Sequence, residues 1–559
     1  MFKKILNSQF NSIASAAMVI AAASFISKVL GLLRDRLLAG TFGTGPESDI
    51  YFAAFRIPDL IYYLVILGAV SAGLIPVFID YLNKDKQKAW YLINSLLNII
   101  SLIVVAACIV LILVSPWLTK LIVPGFKGKE LAMTVSLAQL MFLSPFFMGL
   151  GAIFGGVIQS FRKFICYSLA PILYNLGIIS GVLFFYPYFK QFQTQGSPYI
   201  GLYGLGFGVI LGAFLNFLIQ WFDAKTCGYK WQWVFDWKFE GVKRIFQVMP
   251  GRFLGLTLNQ INIVIITAMA SYLAVGSISV YNYASNIWAV PLGIFGIAFV
   301  TASFPKLSEQ AQKKQVLSFV KTFTYTASQI LYFILPATAF FIVLRAQIVR
   351  LILGVGQFDW IATINTLDTL AYFCLGLFAE ALVWLFIRAF FAWEDSKTPF
   401  YLGAVSTIVR IIAAWIFASN FNMGVAGLAL GYSLGSILNL ILLFVALSEK
   451  LRFLAKDDEQ NISKAENQFI ITGFKMAIAS FFSGLLAYCF LYLIDPYVDL
   501  STGLGLLTQA SIAGIFGLLF YFIFSWILQI KENSIFFQSL FSCWPLSKLP
   551  STFIDLNGK

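Results

Sequence analysis

The sequence contains no histidine. That removes histidine general acid/base chemistry, histidine metal sites and Ser-His-Asp triads together. Charge is scarce as well: 11% of the 559 residues are Asp, Glu, Lys or Arg, against about a quarter in ordinary soluble domains. The six cysteines, Cys108, Cys166, Cys227, Cys374, Cys489 and Cys543, are scattered without CxxC spacing. Most sit in apolar runs, where a free thiol behaves as a small buried hydrophobe. No hydrophilic stretch is long enough to form a soluble domain; the longest segment outside the apolar runs is the tail 531–559.

What is abundant is apolar sequence, 60% of the chain. It falls into about fourteen runs long enough to cross a bilayer, at 12–40, 49–82, 89–118, 130–160, 164–186, 200–222, 245–273, 277–304, 319–344, 362–392, 398–418, 424–447, 468–493 and 502–530. The fold class is therefore an all-α polytopic membrane protein. The first run is too long, and too charged at its far end, for a cleaved signal peptide.

The net charge of +13 could suggest nucleic acid, but its placement is topological. Lysine and arginine concentrate in alternate loops, among them Lys84, Lys86 and Lys88, then Lys225, Lys230, Lys238, Lys243 and Arg244, then Lys450, Arg452, Lys456 and Lys464. The positive-inside rule then puts both termini in the cytoplasm. No nucleic-acid partner is called for.

Eight cations remain within spans or at their ends: Lys28, Arg34, Arg36, Arg56, Arg252, Arg388, Arg410 and Lys475. The acids at similar depth are Asp35, Asp59 and Glu380. A charge at bilayer depth costs ~2.5–3.5 kcal/mol on insertion scales and usually faces a bundle interior or a watery cavity. Lys28, Arg36 and Lys475 are the best placed to snorkel to the headgroups. The rest imply a cationic cavity, hence an anionic cargo. Arg34 and Asp35 are sequence neighbours that can form a local pair or serve different partners; about 100° apart on a helix, they are not expected to face each other, which leaves Arg34 to the cavity and Asp35 to another partner. An interhelical salt bridge is the competing reading. Arginine suits phosphate because its planar fork matches two oxygens.

The chain also repeats itself. GLYGLGFGVILGAFLN (201–216) and GVAGLALGYSLGSILN (424–439) align without a gap, four glycines and a terminal asparagine in register. AAFRI…IPVF (53–78) and YASNI…FPKL (283–307) pair at a similar offset. This predicts two six-helix bundles of the same orientation around a central cavity, 1–225 and 238–450. An extra helix pair follows at 468–530, then a cytoplasmic or membrane-surface tail at 531–559. Glycine every fourth residue is also an ordinary helix-packing stripe, which would explain the first pairing without a repeat. Pro58 and Pro291, midway along spans two and eight, suit helices that bend.

SKVLGLLRD, FGTGPESDIYFAAFRIPDL, GAVSAGLIPVF, PLGIFGIAFVTASFPKLS and RAFFAWEDSKTP closely resemble the MurJ (MviN) family of the multidrug/oligosaccharidyl-lipid/polysaccharide exporter superfamily. The resemblance covers nearly the whole chain. It implies a flippase, not an enzyme, moving lipid II, the undecaprenyl-pyrophosphate-linked peptidoglycan precursor, from the inner to the outer leaflet of the bacterial cytoplasmic membrane. Lipid II and membrane lipids would be its partners, and a monomer would suffice. No cofactor is expected; the sequence leaves open whether a coupling monovalent ion or the membrane potential drives the cycle. Arg34 and Asp35 match the family's functional Arg-Asp, Lys28 stands where an arginine is common, Asp49 matches the acid that opens helix two, and Ala39 lies on the cavity side of helix one.

The chain also departs from the family. Tyr62, Tyr63 and Leu67 stand where the family commonly carries two arginines and an acid, and Ser285 and Asn286 where it carries Asp-Arg. Arg56 or Arg252 is expected to supply the missing charge, with Asn286 as a neutral donor. Competing functions are an exporter of another polyprenyl-linked oligosaccharide or of cationic drugs, a membrane enzyme acting on lipid carriers, and a non-transporting scaffold. A drug exporter would need cavity acids in excess, an enzyme would need clustered acids, and a scaffold would not need so many charges at depth.

Overall fold

The computed structural model describes residues 13–63, 68–455 and 458–542; within these, the side chains of 13–18, 68–72, 248–258 and 539–542 are not described. Leu67, Cys543 and the end of the tail lie outside them. Helices account for nearly all of the described chain, and the sole strand-like pairing there is an isolated bridge between Thr194 and Ser197. Lipid offers no hydrogen bonds, so an apolar run must satisfy its backbone internally, and a helix does so.

Ten of the described helices are long and apolar enough to cross a membrane, or eleven if Trp360–Leu375 and Leu377–Ala392, bent by 45°, form one broken span. The other expected runs, 12–40, 49–82 and 245–273, fall on Ile13–Phe42, on a chain broken into Pro46–Ala54, Arg56–Ile61 and Gly68–Lys84, and on Glu240–Ser271. These are the segments that carry Arg34, Asp35, Arg56, Asp59 and Arg252.

Two prolines act locally as expected. Pro58 has no N–H to offer the carbonyl one turn back, and the helix breaks at Phe55, between Ala54 and Arg56. After Pro291 the backbone widens into a π-helical turn, Leu292–Ile297.

The chain forms two compact units. The first comprises Met1–Val290, Val349–Phe373 and Ser396–Leu438. The glycine stripes lie here. Gly204, Gly208 and Gly212 on Leu202–Thr226 press on the backbone at Phe185, Gly181 and Tyr174. Gly427 and Gly431 on Gly424–Leu454 press likewise on the backbone at Ala418 and Ala414, and Gly435 presses on the Arg410 Cβ. At each place an added Cβ would fall within 2.5 Å of the neighbour. In both cases the helix pressed upon ends in a π-helical turn, Gly181–Phe185 or Ile416–Asn420. Small residues let the backbones approach, and dispersion between them replaces the hydrophobic drive that lipid cannot supply.

The second unit comprises Pro291–Ile348, Cys374–Asp395 and Asn439–Lys559. In it Val316–Val343 lies against the helix pair Glu459–Ile494 and Gly503–Ile527. Buried Tyr332 knits them: its carbonyl accepts from the Tyr521 hydroxyl (2.7 Å) and its own hydroxyl donates to Asn533 Oδ1 (2.8 Å). That second bond docks the final described helix, Lys531–Ser542.

Candidate functional site

Arg34, Asp35, Arg56, Asp49 and Lys28 all belong to the first unit; Arg388, Glu380 and Lys475 belong to the second. Arg34 and Asp35 lie late on Ile13–Phe42, Asp35 fully buried. They bond each other: Arg34 Nε and Nη2 both donate to Asp35 Oδ1, at 3.0 and 2.8 Å. This corrects the expectation that helical neighbours point to different partners. The 100° offset fixes the Cβ directions, but an arginine stem is long and flexible enough to bring its guanidinium back to the adjacent carboxylate.

The pair is then tied to two other helices. Arg34 Nη1 donates to Asn175 Oδ1 (3.2 Å), and Asn175 Nδ2 returns to Ser27 and to its own helix at Pro171. Asn286 Nδ2 donates to Asp35 Oδ2 (2.8 Å). Five polar residues, Ser27, Arg34, Asp35, Asn175 and Asn286, from Ile13–Phe42, Ile165–Ser180 and Ser277–Pro291 thus form one connected network. Both Asp35 oxygens are satisfied, as a buried carboxylate requires.

Arg56 forms a second cluster at the break between Pro46–Ala54 and Arg56–Ile61. Its Nε donates to Thr267 Oγ1 (2.9 Å) and its Nη2 to Asn282 Oδ1 (2.8 Å). Among the described residues these use two of its five N–H donors. One turn on, Asp59 lines a cavity of about 140 Å³ with Tyr62, Tyr63, Ser144 and Tyr174. Tyr62 and Tyr63 therefore stand beside a carboxylate.

Asp49 is structural in its contacts. Its two oxygens accept from the backbone N–H groups of Gly276 (2.7 Å) and Ser279 (2.8 Å), capping Ser277–Pro291 from outside that helix. Asp49 thereby fixes the helix that presents Asn282 to Arg56 and Asn286 to Asp35. Ala39 is fully buried, and Lys28 is exposed near the middle of Ile13–Phe42. Arg252 lies on Glu240–Ser271, but its side chain is outside the described residues.

Arg36, expected to snorkel, instead donates to the carbonyls of Leu351 and Ile352 at the C-terminal end of a short helix. There a cation meets the unpaired carbonyls and the negative end of the helix dipole. Lys475 donates to the Leu528 carbonyl (3.1 Å). Arg410, another of the cations at depth, packs its guanidinium 4.0 Å over the Tyr432 ring and donates to Ser436.

Sequence reasoning missed Asn175, Thr267 and Asn282, the neutral partners of both arginines. Their signal was faint but real: each is a hydrogen-bonding side chain in an apolar run, at a depth where such a group needs a partner.

The fold defines the class. A solved MATE-family multidrug transporter of the MOP superfamily, in its inward-facing conformation, matches 79% of this chain and 99% of its own, with a TM-score of 0.65 at 17% identity. A solved lipid II flippase MurJ, in an inward closed conformation, matches 94% of this chain and all of its own, with a TM-score of 0.71 at 24% identity. These likenesses are of fold.

The family follows from sequence. The model described as "Lipid II flippase MurJ" matches residues 38–498. The chain is 27% identical over 439 residues to the probable lipid II flippase MurJ of Vibrio cholerae, covering 77% of this chain and 82% of that protein. It is 25% identical over 444 residues to the lipid II flippase MurJ of Burkholderia cenocepacia, covering 78% and 84%. The chain belongs to the MurJ lipid II flippase family, a family of multi-pass membrane transporters rather than enzymes.

Proposed function

We propose that the protein flips lipid II from the inner to the outer leaflet of the bacterial cytoplasmic membrane by alternating access. The observation that carries this is the family match across residues 38–498. In this reading 1–225 and 238–450 are the moving six-helix bundles within a fourteen-span chain, and 468–530 is the added pair. Both termini are cytoplasmic and a monomer suffices.

The pyrophosphate falls to Arg34 and Arg56, with Arg252 as a third cation. The Arg34–Asp35 pair is neutral as it stands. Cargo must therefore exchange one anionic acceptor for another: a phosphate oxygen takes the arginine fork while Asn286 retains Asp35. Such an exchange keeps the guanidinium bonded throughout, and its cost falls on Asp35, whose Oδ1 gives up the arginine donors while Asn286 holds Oδ2. Arg56 needs no exchange, because among the described residues its partners are the neutral Thr267 and Asn282, so no anion has to be displaced before a second phosphate oxygen binds.

Complementation tests the function. Expression of this chain should restore growth and outer-leaflet lipid II in a bacterium depleted of its native flippase. An Arg56→Gln variant, expressed at the same level, should be impaired; losing a charge-assisted hydrogen bond costs ~1.5–3 kcal/mol, roughly ten- to a hundred-fold in affinity. Normal insertion of the wild-type chain with no rescue would overturn the reading.

A further inference from the structure

Between Leu202–Thr226 and Glu240–Ser271 the chain runs through YKWQWVFDWK (229–238), a segment with no helix. It is nonetheless fixed. The Asn94 side chain donates to the Lys230 carbonyl (3.0 Å) and accepts from the Gln232 N–H (3.1 Å). Asn98 donates to the carbonyls of Gln232 (3.0 Å) and Val234 (2.9 Å). Asp236 closes the segment, accepting from the Tyr91 hydroxyl and from the N–H groups of Lys238 and Phe239. The segment is thus held extended along the helix Lys86–Ile122.

An extended chain sends alternate side chains to opposite sides. Here one side is a row of aromatics: Trp231, Trp233, Phe235 and Trp237, exposed by 60, 72, 40 and 49%. The first three rings stack edge to face, with centroids 5.6 and 5.3 Å apart. Water is a poor solvent for such a row, and the described residues of the unit leave it exposed.

Depth along Lys86–Ile122 identifies what does. The exposed apolar residues of that helix run from Leu102 through Ile109, Leu113 and Trp117 to Leu121. At 1.5 Å per residue this is about 29 Å, the thickness of the hydrocarbon core. Asn98 then lies roughly 6 Å beyond the hydrocarbon edge and Asn94 about 12 Å beyond it. The aromatic row therefore sits at headgroup depth, where the amphipathic ring of tryptophan is favoured. Lys225, Lys230, Lys238 and Lys243 flank it, Lys225 stacking on Trp221 at 3.6 Å. The acids of the stretch are Asp236, already engaged in its turn, and Glu240.

We propose that residues 229–238 form an interfacial anchor that inserts Trp231, Trp233 and Trp237 among the headgroups of the adjacent leaflet and gathers anionic phospholipid around the flanking lysines. The anchor depends on membrane insertion and not on the identity of the cargo. It would hold the connection between the two sequence halves at fixed depth while helices on either side move.

The test uses the full-length protein in lipid nanodiscs. The difference in tryptophan emission between wild type and the Trp231→Phe/Trp233→Phe/Trp237→Phe variant isolates the row, and phenylalanine keeps the apolar surface. That difference emission should be blue-shifted and quenched more by lipids brominated near the headgroup than by lipids brominated deep in the chain. At equal low mole fraction, brominated phosphatidylglycerol should quench it more than brominated phosphatidylcholine. Lys230→Gln/Lys238→Gln/Lys243→Gln should abolish that excess while leaving quenching in fully brominated phosphatidylcholine intact. Red-shifted emission that no bromolipid quenches would place the row in water, available to a soluble partner, and would overturn the anchor. Equal quenching by the two headgroups in the wild type would overturn the anionic selectivity.

Discussion

Asp35 and Asn286, 251 positions apart in the chain, are joined by a 2.8 Å hydrogen bond between carboxylate and amide. The other oxygen of the same carboxylate holds Arg34. The arginine is therefore positioned by a residue from the second half of the sequence, and the strength of its grip on Asp35 sets how readily it can take another anion.

Removing one member of this pair should cost stability, and removing both should not. Breaking a buried ion pair costs roughly 3–5 kcal/mol at full burial, and less where one partner keeps solvent. Arg34 keeps 22% of its side-chain exposure, so Asp35→Ala should lower the thermal midpoint by less than the full-burial figure implies. Arg34→Met/Asp35→Leu should recover most of that midpoint. Neither variant should restore growth after flippase depletion. Arg34→Lys should rescue in part, since an ammonium is a point charge without the fork. Full growth with Arg34→Met/Asp35→Leu would remove both residues from cargo handling.

Asp49 should behave as a cap. Asp49→Ala leaves two buried N–H groups without acceptors at the start of Ser277–Pro291, and losing a cap costs about 0.5–2 kcal/mol. Asp49→Asn retains one acceptor oxygen and should lose less. Thermal melts of purified protein distinguish the two. A midpoint unchanged in both would contradict the capping role.

Helix contacts at the second glycine stripe predict a graded series. Gly431→Ala drives a Cβ into the Ala414 backbone, and overpacking of this kind costs typically 1–3 kcal/mol. Gly403, on the neighbouring helix, has nothing within 4 Å of the same position. Gly403→Ala should be neutral or stabilising by up to about 1 kcal/mol, because alanine is the better helix former. Equal melting of the two variants would refute the close approach.

The docked terminal helix should carry a pH signature. Burial pushes the Glu532 carboxyl above its ordinary range, and the Lys531 charge offsets this only in part. A carboxyl whose folded value is raised binds its proton more tightly in the folded state, so its contribution to stability falls as pH rises through the unfolded and then the folded value. Glu532→Gln removes that loss. The variant should gain thermal stability over wild type above the raised value, and the gain should shrink as pH falls below the ordinary glutamate range. A gain independent of pH would show that Glu532 is not the titrating group.

The general class was legible in the composition, because a chain this apolar, with so few charges and most of those in the loops, has few ways to be soluble. The glycine stripes were legible too, since only residues without side chains allow the backbone approach seen at Gly208 and Gly431. Arg34 and Asp35 stood out because charge at such depth is costly. Their pairing was misread: helical phase constrains the start of an arginine side chain and not its end. Asn175, Thr267 and Asn282 escaped notice because an amide or a hydroxyl costs far less in an apolar helix than a charge does.

By itself, then, the sequence determined which segments must be helical and buried in lipid, which glycines must touch, and which charges need an explanation. These follow from transfer free energies and steric size, which are local properties. The tertiary structure alone decided who answers each charge. That Asp35 is shared by Arg34 and Asn286, that Arg56 is met by Thr267 and Asn282, and that Asp49 caps a helix 227 residues away depend on which helices lie side by side. Hydrogen bonds of about 3 Å are satisfied by position, and position across a helix bundle is set by packing that no single segment encodes.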